Sequence, residues 1–317
     1  MYRFITLLFL SVLACGPGPR VGSEKPDDTS APSALLVEQV IEGPMLGQSL
    51  KNPRSVAVAT DGSWYLVDNG NNRLIRFNTA LTPQDQTGGY GFGAGLLNNP
   101  AWVTLDNSLN LMVADESNHR LVRFDTRLNF VDDFELRDED DPFKYGRPAG
   151  LGVTDYGEVW LADADQDRIA VFDNVGKFSR FVGDFGYSGG QLSRPSEIAL
   201  DADGQFVVCD PGNLRLARYD AYGGFIAETS TRTFGAPTSV AIAEDVVWLL
   251  DIAQGRLTCL DSRSGEQLLV TGPQLMGDRK RLKEPADVAL LDDGRLMIVD
   301  SGNDRVLVCR VIYDETD

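Results

Sequence analysis

Histidine is almost missing from this chain, since His119 is the only one among 317 residues. A zinc centre built on several imidazoles is therefore excluded by count. Cysteine is scarce as well. Cys15 stands near the N-terminus, while Cys209, Cys259 and Cys309 show neither C-x-x-C spacing nor a nearby histidine, so no dithiol motif is written. Each of the three lies in an apolar run, where a buried free thiol is the expectation; a disulfide would need two Cα atoms within about 7 Å. Basic residues are outnumbered, 29 Lys and Arg against 47 Asp and Glu, for a net charge of −18. Phosphate backbones are held by clustered Lys and Arg that displace counterions. No nucleic-acid partner is expected, and an anionic membrane surface would repel the chain. Phosphate loops and nucleophile elbows are absent too.

What is present begins with "MYRFITLLFLSVLAC", an Arg followed by the apolar run Phe4–Leu13 and then Ala14 and Cys15. That run, at 1.5 Å per residue, covers about half of a ~30 Å hydrocarbon layer, so it reads as an export signal rather than a membrane span. "VLAC" resembles the lipobox of bacterial lipoproteins. The resemblance implies cleavage before Cys15 and lipidation there, leaving residues 1–14 as signal peptide. Several acyl chains at about 0.8 kcal/mol per buried CH₂ would make the anchor permanent. Residues 15–33, rich in Gly, Pro, Ser and charge, form a flexible tether, and 34–317 the folded domain.

That domain repeats. Pro53, Pro100, Pro148, Pro195, Pro237 and Pro285 recur every 42 to 48 residues. Fourteen or fifteen residues after each comes an Asp (Asp68, Asp115, Asp163, Asp210, Asp251, Asp300), and five later an Arg (Arg73, Arg120, Arg168, Arg215, Arg256, Arg305). Each unit offers a strand after the Pro, a second ending at the Asp, a third starting at the Arg, and a less regular fourth. Four short strands per period make a propeller blade. A small residue recurs in the first strand (Ala57, Thr104, Gly152, Ala199, Ala241, Ala289), as expected where wedge-shaped blades converge. The sixth unit lacks its fourth strand, and "LLVEQVIEGP" ahead of Pro53 can supply it. The expected fold is all-β: a six-bladed β-propeller of four-stranded blades, closed by an N-terminal strand joining the last blade.

The pattern "P…VA…DG…YLVD.GN.R…F" resembles the NHL repeat over nearly the whole domain, from about Leu35 to Tyr313. The resemblance implies the propeller but no single function, because propellers of this type include binding modules, sensor domains and lyases. The amidating lyases among them use several histidines around zinc, which this chain cannot supply. Gluconolactonase- and paraoxonase-like propellers hold Ca²⁺ in the channel. Here Glu197 and Asp287 could contribute two oxygen ligands where Ca²⁺ takes six to eight, so no cofactor is expected, with calcium as the alternative.

A residue type that appears once per blade serves the blade, so the twelve repeated Asp and Arg residues read as structural: Asp accepts from turn amides and Arg pairs with it. The D-x-D-x-D of Asp163, Asp165 and Asp167 coincides with this hairpin and lacks the Gly and Glu of a calcium loop, so it reads as a turn. The acidic run Asp132–Pro142 reads as a solvated outer strand or return loop. Function is sought where copies differ. Two residues after each Pro stand Ser55, Trp102, Gly150, Glu197, Ser239 and Asp287, expected at the channel mouth as rim side chains that contribute little burial. Arg54, Trp102, Glu197 and Asp287, with His119 on the same face, are the candidate ligand-binding residues. The expected function is a lipid-anchored, extracytoplasmic, monomeric binding module for a protein, peptide or glycan, facing the periplasm or the cell surface. The alternative is a metal-assisted lyase or lactonase using the channel carboxylates; catalysis is the less favoured of the two.

Overall fold

The computed structural model describes residues 31–136, 146–201, 203–230, 235–243 and 245–313. The signal segment, Cys15, most of the tether and the 137–142 part of the acidic run lie outside the described residues.

Six four-stranded antiparallel sheets stand around a central channel. In blade I the strands are Pro53–Val58, Trp64–Asp68, Arg73–Phe77 and Pro83–Gly88, from the channel outward. The other blades repeat this order, their innermost strands being Pro100–Leu105, Pro148–Val153, Ile198–Leu200, Pro237–Ile242 and Pro285–Leu290. Neighbouring inner strands touch all the way round, blade VI meeting blade I.

The hydrophobic core is a set of six layers, one at each junction between blades. Side chains alternate across a strand, so Trp64 and Leu66 of blade I pack against blade VI while Tyr65 and Val67 pack against blade II. This two-sided burial makes the second strands continuously apolar up to their Asp. At the crowded inner ends the small residues find their use: a Cβ on Gly150 would lie 2.1 Å from the Ser196 carbonyl oxygen, and one on Gly152 3.0 Å from Ile198.

Blade VI is completed from the other end of the chain. The strand Pro32–Ile41 pairs antiparallel with Arg305–Tyr313, Pro32 opposite Tyr313 and Ile41 opposite Val306. Leu35 and Ile41 are buried in this seam, which removes the open sheet edge that three strands would leave. The strand takes in Pro32 and Ser33, which the sequence assigns to the tether.

The Asp and Arg residues stitch each hairpin to the loop before it. Asp68 is fully buried and accepts from the Lys51 backbone N–H (2.8 Å), from Asn71 (2.8 Å) and from Arg73 Nε (2.7 Å). Asp115, Asp210 and Asp300 do the same for Asn98, Ser193 and Lys283 and pair with Arg120, Arg215 and Arg305. The guanidinium then reaches on into the loop between blades, as when Arg73 donates to the Met45 and Gln48 carbonyls. Asp163 and Arg168 are looser at 3.4 Å, and burial pushes the Asp163 carboxyl up to about 6. In blade V, Asp251 accepts from the Gly235 and Ala236 amides and stands opposite Arg256 in the sheet. Cys209, Cys259 and Cys309 are free, buried thiols, and burial raises all three.

Candidate functional site: the channel and its hairpin face

The strand order gives the ring two unlike faces. On the hairpin face lie the turns between second and third strands, the loops that join successive blades, and the starts of the inner strands. The channel runs from there to the opposite face and encloses about 370 Å³.

Glu197 and Asp287 line the channel near the hairpin face, but not as a solvated rim. Glu197 is 8% exposed, Asp287 2% and Trp102 9%, while Ser55 and Ser239 are fully buried. The expectation of exposed rim side chains is therefore corrected. The physical reason lies in the sheets: an antiparallel inner strand turns every second N–H to its unpaired edge, and that edge faces the channel. The residue two after the Pro reaches to the next blade and accepts that N–H. Ser55 Oγ takes Val103 N (3.2 Å), Glu197 takes Val240 N (2.7 Å), Ser239 takes Val288 N (2.9 Å) and Asp287 takes Val56 N (2.7 Å). Ser239 also donates to Asp287 at 2.8 Å, linking three blades.

Burial shifts both carboxyls against the pull of these staples. Burial and the nearby Asp287 push the Glu197 carboxyl well above the usual carboxylate range. Burial pushes Asp287 up as well, against the opposing pull of its N–H and hydroxyl donors. Among the described residues no Lys or Arg lines the channel beside them.

Among the described residues two junctions lack a staple. Trp102 packs its ring with Leu151 between blades II and III, and Gly150 has no side chain to offer blade IV. At its far end the channel is ringed by Val58, Leu105, Val153, Leu200, Ile242 and Leu290, all half-buried. Their common spacing, five residues after each Pro, was a readable signal for this ring.

Arg54 is exposed on the hairpin face, and its charge and that of Arg147 act on Glu116. His119 does not join the channel set. It holds the left-handed seat (φ 49°) that closes the hairpin, where Asn72, Asp167 and Asp304 stand in other blades. Asn and Asp in that seat cap the next loop, as Asp304 accepts from Asn52 N at 2.7 Å. Asp165 pairs with Arg147 at 3.2 Å in the hairpin turn.

The inter-blade loops add a feature the repeat count passed over. Tyr90 and Phe92 before blade II, and Phe185 and Tyr187 before blade IV, are 77%, 56%, 60% and 74% exposed. Each pair stands ten and eight residues before its Pro, and Arg120 lies under the Phe92 ring at 4.7 Å. Among the described residues no group of three or more His, Cys, Asp or Glu is arranged to hold a metal ion.

No family model matches the chain. Among curated proteins it is similar to Protein brain tumor of Drosophila melanogaster, 25% identical over 101 residues. That match takes in 31% of this chain and spans about a tenth of the relative's length. Solved structures repeat the fold. A streptogramin B lyase aligns over 88% of this chain and 98% of its own with a TM-score of 0.64 and 12% identity. A catalytically inactive histidine variant of virginiamycin B lyase from Staphylococcus aureus, with quinupristin, aligns over 87% of each chain (TM-score 0.63, 17% identity). A chain of a nidogen/laminin complex aligns over 75% of this one and 93% of its own (TM-score 0.59, 15% identity). At these identities the likeness is one of fold.

Proposed function

We propose that the chain is an NHL-type propeller, exported and held to the cell envelope by a lipid on Cys15, whose hairpin face binds a protein or peptide. The observation that carries the reading is the four exposed aromatic rings on two equivalent loops of that face. Aromatic side chains are enriched at protein interfaces, and tyrosine is among the residues that dominate their binding energy. Part-buried hydrogen bonds hold those loops in place: Arg120 donates to Leu96 O at 2.7 Å, and Arg215 to Ser188 O at 3.0 Å. A propeller of the same fold occurs in a protein complex, that of nidogen with laminin. The lyase reading has less behind it. One lyase of this fold is inactive as a histidine variant, whereas the only histidine here occupies a turn seat away from the channel.

The test is selection of displayed peptides on the immobilised propeller, followed by binding to two variants. Phe185→Ser with Tyr187→Ser should weaken the selected peptides at least tenfold. Tyr222→Ser, on an 86% exposed ring of the opposite face, should leave them unchanged. Enrichment of no peptide, or peptides insensitive to the loop variant, would overturn the reading.

A further inference from the structure

The two junctions without a staple leave something behind. Leu151 and Ile198 occupy the place, three residues after the Pro, held elsewhere by Val56, Val103, Val240 and Val288. Their registers are equivalent: Leu151 stands opposite Leu161 and Ile198 opposite Val208, as Val56 stands opposite Leu66. Their N–H groups therefore point to the channel edge too. The residues that would accept from them are Trp102, which carries no acceptor, and Gly150. A side chain at Gly150 is barred by the approach of the Ser196 carbonyl oxygen. Buried backbone donors demand an acceptor, and here the only room for one is inside the channel.

The channel thus has three chemically distinct parts. One arc, at blades III and IV, offers two backbone donors. Glu197 and Asp287, on blades IV and VI, offer carboxyl oxygens with no basic neighbour. The far end is a ring of aliphatic side chains. We infer that the channel binds a small amphipathic carboxamide, its carbonyl oxygen on the Leu151 and Ile198 N–H groups, its NH₂ toward the carboxyls, and its hydrocarbon toward Val58, Leu105 and Leu290. A carboxylate would meet the two donors but bring a third acidic group beside Glu197 and Asp287. An ammonium would suit the acids and leave both N–H groups unmet. A hydroxyl must use one oxygen for both partners, whereas an amide places acceptor and donor on separate atoms. The volume of about 370 Å³ is at the small end of ligand pockets and fits a ring with one such group. This site is independent of the aromatic loops, so either reading can fail alone.

The experiment uses four matched probes, benzamide, benzoate, benzylamine and benzyl alcohol, titrated into the unmodified protein at neutral pH. Affinity is read by calorimetry and contact by the backbone amide resonances of Leu151 and Ile198. Benzamide should bind at least tenfold more tightly than each of the others and move both resonances. Equal or tighter binding of any other probe overturns the inference, and so does benzamide that leaves the two resonances in place.

Discussion

Asp287→Ala should be among the most damaging single changes in this ring. The carboxyl is 2% exposed and accepts two hydrogen bonds, from Val56 N at 2.7 Å and from Ser239 Oγ at 2.8 Å. Truncation strands two buried donors at about 1–3 kcal/mol each, so a loss of about 2–6 kcal/mol is expected at pH 5. For a domain of this size that lowers Tm by roughly 3–10 °C. Asp287→Asn keeps one acceptor oxygen and should lose only about 1 kcal/mol at that pH. The two carboxyls then add a pH dependence of definite sign. Both have their pKa raised by the fold, above an unfolded value near 4. Through the window from about pH 4 toward neutrality the native state holds more protons than the unfolded chain, so the parent loses stability as pH rises. The Asn variant removes one raised group and spares Glu197 its acidic neighbour. Its stability should fall less with pH and meet or pass the parent by pH 8. Urea denaturation at pH 5, 6.5 and 8 measures all of this. An Ala variant within about 0.5 kcal/mol of the parent at pH 5, the range of a surface substitution, would refute the buried staple. An Asn variant with the parent's pH slope would refute the charge argument.

Deleting residues 32–41 should lower Tm far more than deleting 16–30, because it opens the edge of blade VI and exposes the Leu35 and Ile41 seam; equal melting temperatures would sink the closure. If Cys15 carries the lipid, Cys15→Ser should move the protein from the membrane to the soluble fraction or block its processing, with Cys209→Ser as the control that stays behind. A Cys15 variant that fractionates and migrates like the parent ends the anchor proposal.

The blades were legible because their determinants are local and recur. A Pro, an Asp and an Arg at fixed spacing mark strand ends that any single unit reveals, and six copies remove the ambiguity of one. Closure was legible for a related reason, since a missing strand at one terminus and a spare apolar run at the other describe one gap. The depth of Glu197 and Asp287 was not legible. Their spacing from the Pro places them correctly along the strand, yet exposure depends on how far the neighbouring blade advances, and that is set by contacts about 45 residues away in sequence.

Such long-range contacts also explain why variation among copies proved a double signal. At the position two after the Pro, the identity of a residue is a statement about the next blade's N–H rather than about solvent. Ser, Glu and Asp answer it; Trp and Gly do not, and these two fall on adjacent blades. Scattered exceptions would read as tolerated defects in a closed ring. Adjacent ones concentrate the unmet donors on one arc, in a channel whose two carboxyls have their pKa raised by burial. Ser55, Glu197, Ser239 and Asp287 supply the staple at four junctions, whereas the Ser196 carbonyl oxygen keeps Gly150 without a side chain. The arc at Leu151 and Ile198 is therefore the part of the inner wall where an interior ligand would add stability that the chain does not provide for itself.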